Sequence, residues 1–152
     1  MTRLTAIGGA LVLLAVAACG GTDGLDGTVR VADTKGGGDR ALSGGWVAVM
    51  TADQADALWA GAGADPPTAA DLPYLNTRVR HEDVTALGGL LVAVDDKGGF
   101  TTTARGRRVL CLVRPVPQQP DLLRGCASVT LPEGGTVEVT VGAGGTQAKV
   151  EG

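Results

Sequence analysis

Between Leu90 and Glu151 the chain repeats one pattern: a short run rich in Val, Leu and Thr, then a turn built on Gly or Pro. Side chains branched at Cβ favour extended backbone, and Gly or Pro breaks the run. LLVAVDD reads as a strand, DKGG as a tight turn and FTTTA as the partner strand. Arg108–Arg114 (RVLCLVR) reads as the next strand, ending at Pro115 and Pro117, with a proline-rich loop leading to Gly125–Leu131 (GCASVTL). Glu133-Gly134-Gly135 turns the chain into Thr136–Val141. There Val137, Val139 and Val141 alternate with Thr136, Glu138 and Thr140, the mark of a half-buried strand. GAGG then turns the chain into Gln147–Glu151.

The same signals occur earlier. Thr28–Ala32 alternates Val29 and Val31 with Thr28 and Arg30, and the turn-rich DTKGGGDR follows. Gly45–Met50 (GWVAVM) is almost continuously apolar, so both of its faces should be covered. Thr51–Leu87 breaks the rhythm. Thr51 and Gln54 have the spacing of a helix capping box, Leu58 and Trp59 follow at helical spacing, and Gly61 and Gly63 end the element. HEDVTAL (His81–Leu87) reads as a second short helix, with acids in its first turn and Gly88-Gly89 as its stop. Seven or eight short strands with Gly-rich turns argue for an antiparallel β-sandwich, here with a short helical insertion at 51–87.

Val94-Asp95-Asp96-Lys97-Gly98-Gly99-Phe100 resembles the central hairpin of the carboxypeptidase regulatory-like domain, a transthyretin-like (prealbumin-like) family. Asp95, Gly98 and Phe100 fill the family's Asp, Gly and Phe places. Such an Asp can accept from turn amides, the Gly can take a left-handed backbone, and the Phe can anchor the new strand in a core. The resemblance spans about Leu25–Glu151. It implies a seven-stranded antiparallel Greek-key β-sandwich over residues 28–152, with an accessory rather than catalytic role. The segment Thr51–Leu87 is longer and more helical than the family's usual connection, which marks it as a place for this chain's own function.

The first residues carry a different message. Arg3 is followed by IGGALVLLAVAA (Ile7–Ala18), which contains no charge and is too short to span a bilayer. It suits the apolar region of a secretory signal. Val16-Ala17-Ala18-Cys19 resembles the lipobox of bacterial lipoproteins. The resemblance implies a signal peptide at 1–18, lipidation of the Cys19 thiol, and a new N-terminus there. Residues 19–27, small and polar, would form a flexible tether. The expected location is the extracytoplasmic face of the cell membrane, held by lipid.

Composition narrows the partners. Asp and Glu number 16 against 13 Lys and Arg, a net charge of −3, and removal of Arg3 with the signal makes the remainder more acidic. An acidic chain with 3% aromatics lacks the basic patch and stacking platform of a nucleic-acid binder. With Cys19 assigned to lipid, Cys111 and Cys126 remain, and an even pair in an exported chain points to a disulfide. Its loop of about 15 residues corresponds to roughly 3 kcal/mol of stabilisation in the chain-entropy model. A reactive thiol beside His81 is the alternative.

His81 is the only histidine. With Glu82 and Asp83 it could suggest a metal, but three successive helical residues point in different directions. We expect it to be solvated or to serve at the helix end. Neither Ser43 nor Ser128 lies in a strained nucleophile turn, so no catalytic triad is expected. Asp95 and Asp96 offer too few oxygens for calcium and suit a turn. Arg105-Gly106-Arg107-Arg108 reads as a solvated basic face. The sequence thus leads to no catalytic residue, no metal and no cofactor. It leads instead to a protein-interaction or scaffolding module of the envelope, with Trp59 and Tyr74 in the insertion as candidate binding residues. A small-ligand pocket between the insertion and the sheet is the second expectation.

Overall fold

A computed structural model describes residues 24–33, 37–63, 77–142 and 145–152. In chain order the elements are β1 (Leu25–Val31), β2 (Arg40–Ala41), β3 (Trp46–Met50), α1 (Ala52–Gly61), β4 (Thr77–Val79) and α2 (His81–Ala86). They continue with β5 (Leu90–Ala93), β6 (Gly99–Thr102), β7 (Gly106–Val116), β8 (Gln119–Leu131), β9 (Thr136–Gly142) and β10 (Gly145–Glu151). The chain is mainly β, and its strands form two sheets.

The first sheet is built around β1. On one side β1 pairs with β9 in parallel, and β10 lies beyond β9. On the other side its first half pairs with β6 and its second half with β2. Alternation sets the faces: Leu25, Gly27 and Val29 are buried, whereas Asp26, Thr28 and Arg30 are exposed. The strand therefore starts three residues before the expected Thr28, and takes in Leu25–Gly27 of the expected tether. The reason is burial: Leu25 is fully enclosed, and Gly27 lies against the Phe100 ring.

The second sheet runs β4-β8-β7-β3-β5, with every pairing antiparallel. Its middle strands are buried on both faces, as the apolar run of β3 implied. Val47 and Val49, with Leu110 and Leu112 of β7, face the first sheet in a core completed by Leu25, Val29 and Phe100. Ala48 and Met50, with Val109, Cys111 and Val113, face the other way, toward α1 and α2. The layers are sheet, sheet, helices.

Ten strands are present among the described residues rather than seven or eight. β2 and β4 are two and three residues long, too short to carry any periodicity. The first sheet is mixed rather than antiparallel throughout, because β1 and β9 run in parallel. The expected proline-rich loop is instead the tip of a long hairpin. β7 and β8 continue to Val116 and Gln119, and Gln118 closes the turn with φ +60°. Pro115 is accommodated because the pairing is irregular between Arg114 and Val116.

The helices start and stop as their sequence signals require. Thr51 Oγ1 accepts the Gln54 N–H at 3.3 Å, and Gln54 Oε1 accepts the Thr51 N–H at 2.9 Å. Gly63 and Gly88, which follow the two helices, take positive φ. Among the described residues no helix is long and apolar enough to cross a membrane.

Candidate functional site

Three elements meet on the outer face of the second sheet. α1 presses Ala55, Leu58 and Trp59 into the helix-side core, and α2 adds Val84. Trp59 is 2% exposed, so its ring is packing and is not offered to a ligand or partner. Its aromatic bulk is what fastens a short helix to a sheet. Cys111 and Cys126, paired directly across β7 and β8, form a disulfide in the same core. Joined in this bond, neither cysteine is a free thiol for His81. Tyr74 and Cys19 lie outside the described residues.

Between the two helices the side chains are small, and among the described residues a groove of about 550 Å³ lies above β4. Ala57 and Ala62 of the α1 side face Ala86 and Leu87 of the α2 side, over a floor of Leu58 and Val79. Arg78, Arg80 and Asp83 add charge to the lining. Leu87, at the end of α2, is 36% exposed, and Leu90, at the start of β5, is 46% exposed. These are the large exposed apolar side chains among the described residues, and Leu87 lines the groove itself.

The start of α2 is held by a residue from another strand. Arg80, at the N-cap position, makes no side-chain capping bond. Asp121 of β8 takes that role, accepting the His81 N–H at 3.0 Å on Oδ2 and contacting His81 Nδ1 at 2.7 Å through the same oxygen. Asp121 is 8% exposed, and these two contacts give Oδ2 of this largely buried carboxylate its partners. The Trp46 ring stacks on the imidazole at 4.8 Å between centroids. His81 Nε2 lies 3.4 Å from Glu82 Oε1.

His81 is therefore not simply solvated. It ties α2 to β8 and β3, and so positions one wall of the groove. No sequence signal pointed to this link, because 40 residues separate His81 from Asp121. The cleft beside it is lined by Arg80, Glu82 and Gln119, with no hydroxyl or thiol. Ser128 lies seven residues beyond Asp121 on β8, about 23 Å along an extended strand. Ser43 lines a different cleft.

The other candidates settle into structural roles. Asp95 Oδ1 accepts the N–H groups of Lys97 at 2.8 Å and Gly99 at 2.7 Å, so it builds the hairpin turn. Arg105 Nη1 donates to the carbonyls of Thr102 and Ala104, and Arg108 Nη1 to that of Arg107. Lys149 has its pKa raised above the ordinary 10.5, first by its hydrogen bond to Glu151 and then by that carboxylate's charge. Among the described residues no three His, Cys, Asp or Glu side chains are grouped as metal ligands. No protein-family model matches the chain, and comparison with curated proteins and with solved structures finds no match either.

Proposed function

We propose that this protein is an envelope lipoprotein, held by lipid on Cys19 at the extracytoplasmic face of a membrane, and that it works as a non-catalytic interaction module. Its two sheets form a regulatory-like β-sandwich of Greek-key type, with β2 and β4 as additions at its edges. The helical layer docks a partner protein of the envelope. One observation carries this reading: the groove between α1 and α2 continues into the exposed Leu87, with Leu90 exposed just beyond α2. An apolar surface with charged residues at its border has the anatomy of a protein interface.

Cross-linking in the native membrane, with mass spectrometry of the captured peptides, tests it. The expected result is one recurrent partner attached through α1, α2 or β5. Ala57→Trp, which fills the groove from its wall, should abolish that attachment and leave folding intact. Unchanged cross-links in this variant would end the reading. Mass analysis of the mature N-terminus tests the anchor separately, because an unmodified Cys19 excludes it whatever the groove does.

A second reading has its own support. The groove volume of about 550 Å³ lies within the range of small-molecule sites. A small ligand would co-purify with the wild type, be lost from Ala57→Trp, and need no partner protein.

A further inference from the structure

The two sheets come together at a second cleft, of about 210 Å³, lined by Arg40, Ser43 and Arg114. Arg40 belongs to the first sheet, opposite Val31 in the β1–β2 pair. Arg114 belongs to β7 of the second sheet. Ser43 lies in the link between them. The backbone is shaped for this approach, since Gly44 and Gly45 have φ +74° and +84°. A Cβ on Gly45 would stand 2.5 Å from the Val113 carbonyl oxygen and 3.2 Å from Arg114 Cδ. Only a glycine lets the link pass so close to Arg114.

These two arginines differ from others in the molecule. Arg30 pairs with Glu138 at 3.0 Å, Arg80 lies near Glu82, and Arg105 and Arg108 donate to backbone carbonyls. Among the described residues the Arg40 and Arg114 side chains make no ion pair and no hydrogen bond. The chain has an excess of acids, so the gap is not for want of carboxylates. Two guanidinium groups lining one cleft repel each other, and an anion between them reverses the sign of that interaction.

We infer that Arg40, Arg114 and Ser43 form a binding site for a phosphate group. A guanidinium presents a planar fork of N–H donors that matches two oxygens of a phosphate. Two forks and one hydroxyl can engage three oxygens, and a dianion balances both positive charges. A carboxylate offers two oxygens and one charge, and leaves one arginine without a partner. The guanidinium and hydroxyl donors engage the phosphate group, and the cleft, open to solvent, leaves room for the rest of an ester. The source is inorganic phosphate or a soluble phosphate monoester. This inference does not depend on the lipid anchor or on the groove.

The test is thermal unfolding and calorimetric titration of the full-length protein near neutral pH and at fixed ionic strength. Its probes are inorganic phosphate, glycerol 3-phosphate and acetate. Saturable phosphate binding is expected, with a rise in Tm of about 3–5 °C at tenfold excess over Kd. Arg40→Gln, an exposed edge change that leaves the core untouched, should weaken binding about ten- to a hundredfold. Arg114→Gln should do the same, and the double variant should show no phosphate-dependent shift. Binding of glycerol 3-phosphate as well as phosphate identifies an ester site, and binding of phosphate alone identifies a site for the free ion. An equal response to acetate, an undiminished response in Arg40→Gln, or no saturable binding overturns the assignment.

Discussion

The Phe100 ring lies against Gly27, and a Cβ at Gly27 would collide with the ring's Cζ and both Cε atoms. The two residues are opposite each other in the β1–β6 pair, so the ring replaces the side chain that the glycine lacks. Gly27→Ala must displace the ring from the core between the sheets. Overpacking of this kind costs about 1–3 kcal/mol, so the urea midpoint should fall with an unchanged m-value. The hairpin residues were legible in the sequence because their chemistry is local. Asp95, Gly98 and Phe100 act within one turn and are spaced as such a turn requires. His81 shows the opposite case. Its partners Asp121 and Trp46 come from two other strands, and no local spacing announces them. Trp59 could be read as helical packing from its position, but whether its ring faced core or cleft depended on the sheet beneath it.

At the scale of elements, α1, β3 and the body of the β7–β8 hairpin followed from sequence, and the tip of that hairpin did not. The capping box and the continuous apolar run are local signals, and both appear in the structure as expected. The prolines around residues 115–120 suggested a loop, yet the ladder continues to the hairpin tip, where irregular pairing tolerates them. The disulfide belongs to this hairpin. Cys111 and Cys126 are directly opposite, with Cα atoms 4.0 Å apart, and they close a loop of 15 residues. Replacing both by Ala should lower stability by about 3 kcal/mol in the chain-entropy model, measured as the change in urea unfolding free energy. The strand pairing itself should persist, with an unchanged far-ultraviolet dichroism spectrum at low denaturant.

The whole molecule has two cores and one sheet common to both. β3 and β7 send alternate residues into each, so disturbance of one core is felt by the other. Trp46 and Trp59 are the only tryptophans, and both sit on the helix side. Their fluorescence reports that side, and far-ultraviolet dichroism reports the strands. Leu110→Ala removes a fully buried side chain from the opposite core and should cost about 3 kcal/mol. The two signals should shift to lower denaturant together. A fluorescence midpoint that stays in place would mean that the layers unfold independently. Fold class was visible in the sequence because strand rhythm is a property of the entire chain. The number of strands and the parallel pair were not, since they depend on which edges meet.

The direction of β1 has a consequence for reach. β1 begins at Leu25, beside Thr102 and close to the β8–β9 turn, and runs toward Val31. Val31 lines the Arg40–Arg114 cleft, and the groove above β4 borders the same end of the β7–β8 hairpin. Six residue steps of extended chain separate the two poles, about 20 Å. A domain leashed to a bilayer just before Leu25 would stand on its Leu25 pole, like a lamp on its cord. If the proposed anchor holds it there, its groove and its arginine cleft face away from the lipid, toward whatever lies across the gap.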